Sequence, residues 1–163
     1  MTGCSSGAQS RDYSMATPAE TRNTKILVLA SLSGGYRGAD SVGQLHADYP
    51  SNVYILPMVS AAMFSEAFYL ETFEKGIDAV IVMFSGTDSQ YKGDSDHTAK
   101  IINRTYPLMK ERGIDTRRLR LVAICTVCTA AFLREIKLME DVLMEIGPIA
   151  NELKSPAQQP QLA

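Results

Sequence analysis

Cys125-Thr-Val-Cys128 places two thiols together, the strongest intrinsic chemistry in this sequence. Thiols at this spacing, just ahead of a helix, can share a metal or act as a redox couple, because the helix dipole lowers a thiol pKa. Zinc would require two further ligands, and His46 and His97 stand in other segments without suitable spacing. Thioredoxin-like pairs follow the first strand of their fold, whereas this pair follows the last apolar run. Inert, buried cysteines are the plainer reading, and a redox or cluster role is the alternative. Three further loops, Ser31–Gly38, Pro57–Ala62 and Ser85–Gly93, are rich in small residues. In the first and third, N–H groups could cradle a phosphate or a flavin at a helix start. Neither loop has P-loop spacing or the G-x-G-x-x-G fingerprint, so a nucleotide or FMN site is a lesser reading. Nothing resembles G-x-S-x-G or a Ser–His–Asp set. His97, in Asp94-Ser-Asp-His97, reads as a solvated residue in the first turn of a helix, where Asp94 and Asp96 suit the dipole.

These loops need elements to position them. Lys25–Ala30, Asn52–Leu56, Ala79–Phe84 and Leu119–Ile124 are continuous apolar, β-rich runs, as expected of strands buried on both faces of a parallel sheet. Between them, Glu66–Lys75, Asp96–Arg112 and Ala130–Ile146 have helical apolar spacing, and Gly76, Gly113 and Gly147-Pro148 mark their ends. Pro107 is expected to kink or split the second of these helices. Ala39–Ala47, interrupted by Gly43, is the weakest helical segment. Strand–helix alternation implies βαβ units. The expected fold is α/β: an open, mostly parallel four-stranded sheet with flanking helices, flavodoxin-like in type. All four Gly/Ser/Cys loops then fall at the carboxyl edge of the sheet, where such folds bind ligands, and the opposite edge looks ordinary.

The chain has 163 residues with 45% hydrophobic and 21% charged, which suits one domain with a core large enough to fold without metal or disulfides. The expected organisation is a disordered arm over 1–23, a domain over 24–150 and a disordered tail over 151–163. A net charge of -2 gives no nucleic-acid footprint, and no apolar run is long enough to span a membrane. The first residues lack the apolar core of a secretory signal, so Cys4 reads as a plain thiol in the arm. Three cysteines make no disulfide framework, and a cytoplasmic setting is expected.

Four segments carry a family likeness: Gly35-Tyr-Arg-Gly-Ala-Asp40, Tyr49-Pro-Ser-Asn-Val53, Phe73-Glu-Lys-Gly-Ile-Asp78 and Gly113-Ile-Asp-Thr-Arg-Arg-Leu-Arg-Leu121. In order and separation they resemble the delta-subunit family of methyl-viologen-reducing hydrogenase. That resemblance implies a small α/β protein holding a [2Fe–2S] cluster on cysteines in the loops after the first three strands. It also implies electron transfer between a hydrogenase or other dehydrogenase and the A-type flavoprotein of heterodisulfide reductase. The sequence departs at the implied ligand positions, which fall on Ser31, Gly34, Ser60, Ser85 and Ser89. A hydroxyl is a poor iron ligand beside a thiolate.

The expectation is therefore a cluster-free, non-catalytic structural or adaptor subunit of a hetero-oligomeric redox complex. Its partners would carry FAD and iron–sulfur clusters: an A-type flavoprotein of heterodisulfide reductase, a cluster-bearing sister subunit, or both. Tyr36, Arg37, Met58, Met63, Phe64 and Tyr91 are the candidate interface residues at this edge, since aromatic, Met and Arg side chains are enriched at contacts. The alternative is an electron-transfer subunit with a relocated thiol or [2Fe–2S] site at Cys125 and Cys128, completed by a partner chain.

Overall fold

The structure is a computed structural model that describes residues 24–86, 89, 91–124 and 129–153. The expected arm over 1–23, the tail from 154 onward, and both Cys125 and Cys128 lie outside the described residues. The apolar runs form strands β1 (Ile26–Ser31), β2 (Val53–Met58), β3 (Ala79–Phe84) and β4 (Leu119–Ala123). They lie in the order β2-β1-β3-β4 with every neighbour parallel. The helices are α1 (Gly35–Gln44), α2 (Glu66–Glu74), α3 (Asp94–Glu111), α4 (Thr129–Ile146) and α5 (Ala150–Leu153), with 3-10 turns at Ala61–Met63 and Thr116–Arg118. The expected open, parallel, flavodoxin-like sheet is the one observed.

Alternation along the strands divides the core in two. Leu29, Val80 and Val82 pack with Tyr69 and Phe73 of α2 and Ile102 and Met109 of α3. Val28, Ile81 and Met83 pack on the other face with Val42 of α1 and Phe132 and Ile136 of α4. β1 and β3 are thus covered on both sides, which is why their sequences are apolar without interruption. β2 departs from that expectation. It is an edge strand, and Tyr54 and Leu56 are 51% and 42% exposed. The carbonyls of Asn52 and Met58 accept from Ile26 and Leu32 of the β1 segment, so Val53, Ile55 and Pro57 turn their main chain outward. Pro57 has no N–H to offer, and the Val53 N–H is bonded to Pro50. The outer edge of β2 is therefore poorly suited to adding another strand.

Three boundaries differ from the sequence expectation. α3 runs through Pro107 without splitting. The ring faces solvent, while Thr105 and Met109 on either side are buried, so core contacts on both sides outweigh one missing main-chain bond. α1 starts at Gly35 rather than Ala39, directly after β1. The ordered domain also continues past 150, because Glu152 of α5 is tied back to Arg118.

The amino edge of the sheet is not ordinary. Arg118 is fully buried there. It donates to the carbonyls of Asp78 (3.1 Å) and Gly147 (2.9 Å) and to both carboxylate oxygens of Glu152. Asp78 in turn accepts from the N–H groups of Lys25 and Ile149, each at 2.7 Å. One polar network thus joins the segments entering β1, β3 and β4 to the end of the domain.

Candidate functional site

At the carboxyl edge, β1 leads to α1 on one face of the sheet and β3 leads to α3 on the other. The loops after these two neighbouring strands therefore diverge, which opens the crevice where open α/β sheets bind ligands. Ser31, Gly34 and Ser85 meet there. Ser31 Oγ lies 3.3 Å from Ser85 Oγ, and Ser33 Oγ is hydrogen-bonded to the same hydroxyl. Gly34 presses so closely that a Cβ built on it would sit 2.9 Å from both the main-chain nitrogen and the hydroxyl of Ser85. A Cβ on Gly35 would lie 2.5 Å from Met83 Cβ. The glycines of the first loop thus serve close packing of α1 on β3, where the sequence allowed for close approach to a ligand or partner.

Ser60 and Ser89 are gathered by a different residue. Both hydroxyls donate to the carboxylate of Asp94, Ser60 to Oδ1 and Ser89 to Oδ2, the latter at 3.1 Å. Ser95 donates to the Gly86 carbonyl. All five positions that the resemblance assigns to cluster ligands therefore lie at this edge, in two hydrogen-bonded groups. They do not fit an iron–sulfur cluster. They present hydroxyl oxygen and one glycine where soft sulfur is required, and the Gly34 position has no room for a side chain without displacing the main chain of Ser85. Among the described residues, no group of three or more His, Cys, Asp or Glu is placed to hold a metal ion.

Beside Asp94 lies an open depression of about 570 Å³, with Val59, Met63, Tyr91, Lys92 and His97 in its lining. Met63 and Tyr91 are 68% and 52% exposed, and Tyr36 and Arg37 on α1 are exposed as well. Phe64 is partly buried and stacks on Phe68 with ring centroids 4.3 Å apart. Met58 is withdrawn into the core, so it cannot serve as a surface contact. It lies on the same strand face as the exposed Tyr54 and Leu56, but at the end of β2 it is covered within the cluster that includes Ala61 and Tyr69. His97 is exposed on the first turn of α3, in keeping with a solvated residue. Leu32, Tyr54, Leu56 and Val59 are exposed apolar residues that sequence reasoning missed; Pro57 was the available signal, because proline within a strand run marks an edge. Asp94 as the meeting point of two loops was also missed, and no local pattern announces it. No helix among the described residues is long and apolar enough to cross a membrane.

The family model for the methyl-viologen-reducing hydrogenase delta subunit matches residues 26–147. Among curated proteins, the chain is similar to the A component of the ferredoxin:CoB-CoM heterodisulfide reductase of Methanosarcina mazei. The two are 31% identical over 120 residues, which is 73% of this chain and 15% of that component. The A component of the ferredoxin/F(420)H(2)-dependent CoB-CoM heterodisulfide reductase of Methanosarcina acetivorans is 30% identical over the same shares. The vhu iron-sulfur component, D, of the F420-non-reducing hydrogenase of Methanococcus maripaludis is 24% identical over 131 residues, covering 80% of this chain and 96% of that component. The chain thus spans nearly all of one type of relative and a small part of the other. It belongs to the methyl-viologen-reducing hydrogenase delta subunit family.

Proposed function

We propose that this chain is a non-catalytic structural or adaptor subunit of a cytoplasmic, multi-subunit redox complex of the heterodisulfide-reductase type, without a [2Fe–2S] cluster of its own. The carrying observation is that a family framework matched over residues 26–147 presents Ser31, Gly34, Ser60, Ser85 and Ser89 at the loop edge, and that the four serine hydroxyls are already bonded to one another or to Asp94. The matching segment makes up nearly all of the hydrogenase iron-sulfur component and a small part of the heterodisulfide reductase A component. That distribution supports a place beside an A-type flavoprotein. Such a partner carries FAD and iron–sulfur clusters, and a cluster-bearing sister subunit is a second candidate. The docking surface is the edge formed by the exposed Tyr36, Arg37, Met63 and Tyr91, with the partly buried Phe64.

Purification of the tagged chain under anaerobic conditions tests both parts. Co-purification of a flavoprotein, with substoichiometric iron and sulfide in the isolated chain, is expected. Stoichiometric cluster in the isolated chain overturns the cluster-free reading, and capture of no redox protein overturns the adaptor reading. Cys125 and Cys128, which come after β4 in the sequence, keep a relocated site in contention. Changing both to Ser should leave turnover of the complex unchanged; loss of electron flow would favour the relocated site instead.

A further inference from the structure

We infer that Asp94 is the positioning residue of this edge: one carboxylate, holding Ser60 and Ser89, fixes the loops that carry Met63 and Tyr91 without any metal. The loops concerned follow β2 and β3, which are not neighbours, because β1 lies between them. No strand-to-strand hydrogen bond can tie them. Asp94 does, from the first position of α3, with one oxygen to each hydroxyl. Each serine then passes the restraint to the main chain. Ser60 Oγ accepts from the Ala62 N–H at 3.0 Å, which starts the 3-10 turn bearing Met63. Ser89 Oγ accepts from the Tyr91 N–H at 3.4 Å. A hydroxyl that donates to a carboxylate while accepting from an amide is polarised in both directions, so the two bonds reinforce one another. The side chains they place, Met63 and Tyr91, both line the depression beside Asp94. The use of this edge for docking rests on the adaptor reading; the latch itself does not.

Amide hydrogen exchange on the free chain tests it. In Asp94→Ala, the Ala62 and Tyr91 amides should exchange roughly ten- to a hundred-fold faster, the range expected when a hydrogen-bonded restraint is lost. The Val28 and Ile81 amides in the sheet should be unchanged. Asp94→Asn, which keeps one acceptor, should fall between. Ser60→Ala combined with Ser89→Ala should reproduce Asp94→Ala. Asp96→Ala removes a first-turn charge from the same helix, and should leave both loop amides within about two-fold of wild type, as the local reach of helix-end effects requires. Unchanged loop exchange in Asp94→Ala, or an equal effect from Asp96→Ala, overturns the latch. A latch confirmed by exchange in a chain that captures no partner would leave Asp94 standing and remove the adaptor reading alone.

Discussion

At Arg118 a guanidinium with no exposed surface donates from each of its three nitrogens to groups inside the protein, two carbonyls and one carboxylate. Its neighbours in sequence behave differently: the Arg117 side chain is 47% exposed and that of Arg120 is 43% exposed. Truncating a buried cation that bonds three acceptor groups strands its partners, so Arg118→Ala should destabilise the fold by about 3 kcal/mol, measured by urea unfolding. Arg118→Lys should recover only part of this, because an ammonium cannot reproduce the planar fork. Asp115 gives a pH-dependent test. Hydrogen bonds from Arg117 hold its carboxyl below the usual carboxylate range. A lowered folded-state pKa gives stability that is present above the unfolded value and lost as pH falls through the folded one. The melting temperature of the wild type should therefore fall more steeply than that of Asp115→Asn between about pH 5 and about pH 2. The sequence showed that arginines cluster at 117, 118 and 120; which of them is buried depends on α5 folding back, and no local pattern encodes that.

α3 and β2 illustrate how proline reads at the level of an element. In α3, apolar spacing located the helix, and Pro107 suggested a kink or a split; the helix is not split. The helix is pinned by buried residues on both sides of the proline, among them Ile101, Ile102 and Met109. Replacing the solvent-facing ring with alanine restores a main-chain donor, so Pro107→Ala should stabilise the fold by about 1–3 kcal/mol, read from the urea midpoint. In β2, the apolar run located the strand and suggested burial on both faces. Strand order overruled this: a strand at the end of a four-stranded sheet has one neighbour. Pro57, on the outer side, was the residue that carried the information.

Across the whole molecule, the two edges of the sheet divide the work. The amino edge is locked by Asp78, Arg118 and Glu152. Asp78 and Arg118 each come from a segment that carries the family likeness, so that likeness records scaffold as much as function. The carboxyl edge displays apolar side chains above a hydroxyl and carboxylate network. Met63→Asp at this edge should reduce partner capture at least about ten-fold while leaving the melting temperature unchanged, since the side chain is 68% exposed. Met58→Ala should instead lower stability by about 2–5 kcal/mol, because Met58 is core, and binding losses in that variant would report unfolding.

The sequence by itself determined the α/β class, the four strands, the main helices and the family, because period, turn residues and local segments are short-range signals. It also brought Ser31, Gly34, Ser60, Ser85 and Ser89 to one edge, since each follows a strand and all strands run the same way. Only the tertiary structure decided which hydroxyls meet, that Gly34 closes on Ser85, that Met58 turns inward and that Arg118 is buried. Each of these depends on contacts between segments far apart in the chain, whose distances and orientations are set by strand order and helix packing rather than by neighbouring residues.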